Sequence, residues 1–268
     1  MVVLHVEPAG RLRAIELQGS CGELDVRRNE SGVRRPAAVI FDLDGTLADS
    51  FDAIWHSLNA ALRELGLPPR DLGWVRRHVG RGATELVRDA LGGEGSVSVR
   101  QALSRLFLEI YERTFCAQTP PFPGARDVLA FVARGTRGRV AVVSNKLERF
   151  SRAWLSFWGL DELVAAVVGP DTTGVYKPDP HCVQPVLAAF GVSPEEAIIV
   201  GDMEVDAELG KAAGIVVVGV RNETVSPTTM RRAGAAAVLF DLRDLPAWLA
   251  GNGHGWDTIL LADQGGER

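Results

Sequence analysis

The sequence predicts an α/β protein, a doubly wound parallel sheet with a block of helices inserted after its first strand. Three observations carry that prediction. Short apolar runs at 39–41, 140–143, 164–168, 198–200, 216–220 and 236–240 read as buried strands. Segments of helical spacing lie between them, the order of a parallel sheet built from crossovers. The first run stops abruptly in acids and glycine, Asp42-Leu43-Asp44-Gly45-Thr46, as strands do at the ligand-binding carboxyl edge of such a sheet.

In chain order, residues 1–35 stand apart as an extension of unknown structure. Alternation at Val2, Leu4 and Val6, then at Leu12 and Ala14, fits a small hairpin turning at Pro8-Ala9-Gly10; a disordered arm or a misassigned start fits as well. After the first strand the period changes. Phe51, Ile54, Trp55, Leu58, Leu62 and Leu65 follow helical spacing and stop at Gly66 and Pro68-Pro69. Trp74, Val75 and Val79 give a second short helix ending at Gly80-Arg81-Gly82, and Leu86, Val87, Ala90 and Leu91 a third, closed by Gly92-Gly93. A fourth begins at the capping-box pattern Ser98-x-x-Gln101, with an apolar face of Leu103, Leu106, Phe107 and Ile110. Residues 51–120 are therefore expected to form a helical module, with 120–124 as hinge or return linker. Helix and strand then alternate: helices over 125–133, 147–158, up to about Phe190, 204–213 and near Trp248 separate the later strands. Ser193-Pro194-Glu195-Glu196 carries N-cap and N1-proline features. The α/β core is thus expected over 36–50 and 121–250, and the Gly-rich 251–268 as a loose tail.

Composition narrows the function classes. With 46% hydrophobic and 24% charged residues, 268 residues suffice to bury a sizeable core. A formal charge of −5 gives no basic field for nucleic acid or an anionic membrane surface. Cys21, Cys116 and Cys182 are scattered, without metal or disulfide spacing, and read as reduced thiols. No apolar run approaches the roughly 20 residues of a membrane span, and the N-terminus lacks the order of a secretion signal, so a cytoplasmic location is expected. Only Lys146, Lys177 and Lys211 are lysines among 29 basic residues, which leaves few candidates for any task needing an ammonium group.

Asp42, Ser144, Lys177 and Asp202 follow in order, three of them at strand ends that share one edge of a parallel sheet. In this order and context, Asp42-Leu43-Asp44-Gly45-Thr46, Ser144-Asn145, Lys177-Pro178 and Gly201-Asp202-Met203-Glu204-Val205-Asp206 resemble the four motifs of the haloacid dehalogenase superfamily, whose fold is Rossmann-like. The resemblance covers about residues 36–240. It implies a Mg²⁺-dependent phosphatase in which Asp42 is the nucleophile, forming an aspartyl-phosphate. Asp44 would protonate the leaving oxygen and later take a proton from water, help worth about 10²–10⁴-fold. Asp202, Asp42 and the main-chain carbonyl of Asp44 would hold Mg²⁺. Ser144 and the Asn145 amide would bond the phosphoryl oxygens, and Lys177 would neutralise charge on Asp42 and the phosphate. Asp206 would order metal waters or Lys177, and Thr46 would orient Asp44. One departure stands out: Met203, with Glu204 beside it, occupies a place where the family more often has Ser, Thr or Asn, which puts the surroundings of the metal and its preference in question.

The helical insertion corresponds to the family's small α-helical cap, which closes over the site and selects small soluble phosphates. Within it, His78-Val79-Gly80-Arg81-Gly82-Ala83-Thr84-Glu85-Leu86-Val87 resembles a stretch of phosphoglycolate phosphatases, and Arg81 or Thr84 is expected to meet a substrate carboxylate. The expected partner is a small phosphorylated metabolite, foremost 2-phosphoglycolate, and the expected assembly a monomer or homodimer. Asp44 argues against dehalogenases, which replace that aspartate. Residues 51–120 contain no lysine for a phosphonatase Schiff base. Pyrophosphatases, sugar-phosphate phosphatases, related mutases and a non-catalytic binding module share the core motifs or the fold and remain as alternatives.

Overall fold

The strand runs carry Val, Ile and Ala without polar alternation because both faces of the sheet are covered. The computed structural model describes residues 2–6, 12–16, 36–93 and 95–251. Strands β1 (Val2–Val6) and β2 (Leu12–Glu16) form a separate antiparallel pair, with Val2 opposite Glu16. The expected turn at Pro8–Gly10 and the tail beyond Gly251 lie outside the described residues. The main sheet contains β3 (Ala38–Phe41), β4 (Val140–Val143), β5 (Ala166–Val168), β6 (Ala197–Gly201), β7 (Val216–Val220) and β8 (Ala237–Leu239). Its order is 5-4-3-6-7-8 and every pairing is parallel.

Side chains of successive strand residues enter two separate cores. Val39, Phe41, Val140, Val142, Ile198 and Val200 face one; Ala38, Ile40, Ala141, Val143, Ala197 and Ile199 face the other. The helices are α1 (Phe51–Glu64), α2 (Leu72–His78), α3 (Ala83–Ala90), α4 (Val97–Gln118), α5 (Ala125–Gly135), α6 (Glu148–Phe157), α7 (Pro170–Thr173), α8 (Gln184–Phe190), α9 (Glu204–Ala213), α10 (Pro227–Ala233) and α11 (Leu245–Leu249). Residues of α5 and α6 fill the first core and those of α8, α9 and α10 the second. The architecture is the expected doubly wound one. The chain builds outward in opposite directions from β3 and β6, so a crevice opens between their carboxyl ends. Phe41 is paired with Val200, which sets Asp42 and Asp202 at the mouth of that crevice.

Helices α1 to α4 leave the sheet after β3 and return before α5. The outgoing and returning chains are tied together: Asp49 N–H donates to Pro120 C=O at 2.9 Å and Phe122 N–H to Leu47 C=O at 2.9 Å. The indole N–H of Trp154 in α6 donates to Thr119 C=O at 2.8 Å, so the return also hangs on a fully buried core side chain.

Four local expectations are corrected. The cap of α4 is Ser96, whose Oγ accepts from Val99 N–H; of two serines with equal capping chemistry the earlier one is used, and Ser98 lies in the first turn. The buried stripe of α4 is Leu103, Phe107, Tyr111 and Phe115, at steps of four, while Leu106 and Ile110 are only partly covered. Strand β5 begins at Ala166, because 161–163 form a 3₁₀ turn. Helix α10 was not expected. Its sole buried residue is Met230, too little for a periodic signal, although Ser226 caps it and Pro227 sits at its first position.

Replacing Trp154 by Ala removes a fully buried ring and orphans the Thr119 carbonyl. The expected cost is about 3–5 kcal/mol of unfolding free energy, whereas Phe157→Ala, on the exposed side of the same helix, should stay within about 0.5 kcal/mol. Urea unfolding of both variants checks the contrast.

Candidate active site

Each strand of the sheet centre delivers polar groups to the crevice. Asp42, directly after β3, is held by its own N–H donating to Val200 C=O at 2.8 Å. Asp202 follows β6, and Asp206 lies one turn into α9. Asp42, Asp202 and Asp206 are buried, and each offers a carboxylate oxygen within 4.8 Å of those of the other two. Lys177 comes in from the loop before α8. Its Nζ donates to Asp206 Oδ1 at 2.6 Å and lies 2.8 Å from Asp42 Oδ1.

These groups are held from outside. Thr46 Oγ1 donates to Asp202 Oδ1 at 2.7 Å, where orientation of Asp44 was expected. Asn222, beyond β7, donates to both Oδ2 and the main-chain oxygen of Asp202 at 2.9 Å. Asp206 Oδ2 accepts from Met203 N–H at 3.1 Å. Gly45 has φ +87°, and a Cβ there would stand 2.2 Å from Asp202 Oδ2, so the turn that brings Asp42 and Asp202 together excludes every side chain.

Charge is unbalanced at this point. Burial, and then the neighbouring Asp42 and Asp206, push the Asp202 carboxyl up to about 8 against the bonds from Asn222 and Thr46. Burial also raises Asp42 to about 6, opposed by Lys177. Burial disfavours the Lys177 ammonium, but Asp206 and Asp42 outweigh it and hold its pKa above the usual lysine value. Three carboxylates around one ammonium make a hard-oxygen donor set that could take a divalent cation.

Beside the acids lies a cavity of about 120 Å³, walled by Asp42, Asp44, Ser144, Asn145 and Lys146 from the core and by Thr84 and Tyr111 from the helical insertion, among others. Ser144 is buried and its Oγ accepts from Lys146 N–H at 3.3 Å. The Asn145 side chain donates to Gly80 C=O at 2.9 Å and to Lys177 C=O at 3.2 Å, and accepts from Lys177 N–H at 2.7 Å. It thereby ties the insertion to the lysine loop. The Met203 side chain packs at Gly80, and a Cβ on Gly82 would lie 2.7 Å from the Tyr176 ring, so the Gly80-Arg81-Gly82 turn rests directly on three core loops. Thr84 is on the cavity wall. Arg81 is exposed and not among the wall residues.

Residues 39–220 match the family model described as haloacid dehalogenase-like hydrolase. The chain belongs to the haloacid dehalogenase-like hydrolases. It is a phosphatase-type enzyme of that family. A phosphoglycolate phosphatase of Rhodospirillum rubrum is 38% identical over 232 residues, covering 84% of this chain and 95% of its own. One of Pseudomonas putida is 36% identical, covering 85% and 84%. Among solved structures, one described as a predicted phosphoglycolate phosphatase from Haemophilus somnus superposes with TM-score 0.72 at 26% identity, covering 79% of this chain and 96% of its own. A predicted phosphatase from Clostridium acetobutylicum, at 20% identity and TM-score 0.71, shares the fold over 81% of this chain and 99% of its own.

The haloacid dehalogenase motifs account for Asp42, Asp44, Ser144, Lys177 and Asp202, but sequence reading missed three residues. Lys146 Nζ donates to both oxygens of Asp44, at 2.8 and 2.9 Å, and lies 4.8 Å from the centre of the Tyr111 ring. Asn222 braces Asp202. Strand-end position could have flagged Lys146 and Asn222; Tyr111 carried no signal beyond helical spacing.

With the Asp202 carboxyl raised in the fold, the metal-free protein retains a proton that the unfolded chain releases, so its stability should fall as pH rises from about 4 to about 8. A divalent cation held by these acids, Mg²⁺ being the one to test, would compete with that proton. Its stabilisation, about 2.7 kcal/mol at a hundredfold excess over Kd, should therefore be larger at pH 8 than at pH 6. Thermal denaturation with and without Mg²⁺ at the two pH values reads both effects; an Mg²⁺ shift that shrinks with rising pH contradicts the assignment.

Proposed function

We propose that the chain is a Mg²⁺-dependent phosphomonoesterase that works through an aspartyl-phosphate on Asp42 and hydrolyses 2-phosphoglycolate. The observation that carries this is the burial of Asp42 against Lys177 and the Asp202–Asp206 pair, next to a small cavity closed by the insertion. Asp42 attacks phosphorus, the ester bond to the glycolate oxygen breaks, and Asp44 delivers the proton that this oxygen needs. Water, giving its proton back to Asp44, then attacks the phosphorus and frees Asp42 as phosphate leaves.

Lys177 offsets negative charge on Asp42 and on the transferred group; its two carboxylate partners keep it protonated. Ser144 meets the phosphoryl oxygens. Asn145 holds the loop closed through its side chain. Asp42, Asp202 and Asp206 would hold the metal together with the Asp44 carbonyl that the family resemblance implies. Bound there, Mg²⁺ supplies charge neutralisation for the phosphoryl oxygens. The helices over 51–120 act as the cap, and their seat on Asn145, Tyr176 and Met203 is the closed arrangement that excludes water. The choice of 2-phosphoglycolate rests on the relatives named phosphoglycolate phosphatase and on a cavity with the volume of about four waters.

Phosphate release over 2-phosphoglycolate, pyrophosphate, sugar phosphates and p-nitrophenyl phosphate tests the reading. The expected result is a clear kcat/KM preference for 2-phosphoglycolate that vanishes on chelation, with Asp42→Asn folded and inactive. A flat or sugar-phosphate profile removes the substrate assignment. Turnover by Asp42→Asn removes the mechanism.

A Gly82→Ala substitution offers a second check. The added methyl forces the turn off Tyr176, so KM should rise by about tenfold or more, the loss of a closing contact, with the circular-dichroism spectrum unchanged. An unaltered KM contradicts the role given to the closed arrangement.

A further inference from the structure

We infer that Lys146 is the residue that selects the substrate, by binding the carboxylate that 2-phosphoglycolate carries beyond its leaving oxygen. The inference rests on the substrate reading above and deepens it. Among the described residues walling the cavity, Lys146 is the only one with a cationic side chain. Lys177 is engaged by Asp42 and Asp206. Of the two residues that the sequence suggested for a carboxylate, Arg81 is exposed and off the wall, and Thr84, which borders the cavity, carries no charge.

Lys146 is not an ordinary surface lysine. Its side chain is 7% exposed, and a buried ammonium is retained only where an anion meets it. An ammonium has three N–H groups. Two oxygens of one carboxylate, at 2.8 and 2.9 Å, take two of them. The aromatic face of Tyr111, 4.8 Å away, confines the head to the cavity wall.

In the reading above, Asp42 attacks phosphorus and Asp44, two residues on, protonates the leaving oxygen. The Lys146 ammonium bonds that same Asp44 carboxylate. In 2-phosphoglycolate the carboxylate stands one methylene beyond the leaving oxygen, so a phosphate seated at Asp42 carries its carboxylate toward the Lys146 ammonium. A neutral alcohol at the same place would leave that ammonium with Asp44 alone and gain nothing from it. Specificity then follows from a charge already on the wall.

The test compares 2-phosphoglycolate with 2-hydroxyethyl phosphate, which has the same two-carbon chain and an alkyl leaving oxygen but a neutral hydroxymethyl group in place of the carboxylate. Wild-type protein should prefer the former. In Lys146→Met the ratio of the two kcat/KM values should fall by about 10–100-fold, the worth of a bond to a charged group, carried mainly by KM for 2-phosphoglycolate. Lys146→Arg should recover part of the ratio. Equal losses on both substrates would mean that Lys146 serves only to position Asp44, and would overturn the inference. A wild-type enzyme that does not distinguish the two esters would instead overturn the substrate reading beneath it. Should Lys146→Met not fold, inhibition of p-nitrophenyl phosphate hydrolysis by glycolate gives the same answer in Lys146→Gln. A weakened glycolate affinity supports the carboxylate site, and an unchanged one refutes it.

Discussion

Three buried carboxylates facing one ammonium is a costly arrangement, and much of the site's surroundings exist to hold it. Unpaired negative charge away from water pushes acids toward protonation, as the raised Asp202 and Asp42 carboxyls register. The fold resists this with fixed donors: Thr46 and Asn222 on Asp202, Met203 N–H on Asp206, Lys177 between Asp42 and Asp206. The parallel sheet makes that possible. At the carboxyl ends of the paired β3 and β6, from which the chain builds outward in opposite directions, two strand ends bring acids together while four further strands supply the rigid backing. Even the bare Gly45 turn belongs to this constraint, since any Cβ would occupy the space of the Asp202 carboxylate.

The second organising contact is between core and insertion. Asn145 spans three pieces of chain, bonding Gly80, Lys177 and, through the loop it stiffens, the wall that carries Ser144 and Lys146. Tyr111 and Phe115 of α4 stack at 4.9 Å and meet Phe150 of α6 edge-on, so the same helix that roofs the cavity is anchored in an aromatic cluster. Met203, which departs from the polar residue more usual in the family, packs against Gly80 and accepts weakly from Asn222. Its surroundings give the departure a reason: an apolar seal under the turn, with the carboxylates left intact.

Much of this was legible in the sequence because strand ends and polar clusters coincide. Asp42, Asp44, Ser144 and Asp202 each stand at or near the end of an apolar run, and a parallel sheet gathers such ends on one edge; Lys177 reaches it from the loop that follows α7. Orientation within loops was not legible. Arg81 lies in the Gly80–Gly82 turn and Thr84 in the first turn of α3; both are exposed, and of the two Thr84 borders the cavity, a difference that periodicity does not show. Asn222 sits among Arg221, Glu223 and Thr224, and nothing local marks which of these reaches Asp202. Lys146 was noticed only as one of three lysines; its partner Asp44 is 102 residues away, a pairing that only the packed core reveals. The sequence pattern ends the α4 stripe at Ile110, more than one turn short of Phe115, since Tyr111 becomes a core residue only where Phe150 and Lys146 meet it.

The account depends most on Asp42 bonding covalently to phosphorus. Rapid mixing of enzyme, Mg²⁺ and 2-phosphoglycolate, a quench, and borohydride reduction would convert an aspartyl-phosphate into homoserine, which peptide mass spectrometry locates. The account predicts homoserine at position 42, dependent on substrate and absent when substrate is omitted. Full turnover with an unmodified Asp42, or with the reduced residue elsewhere, would contradict it.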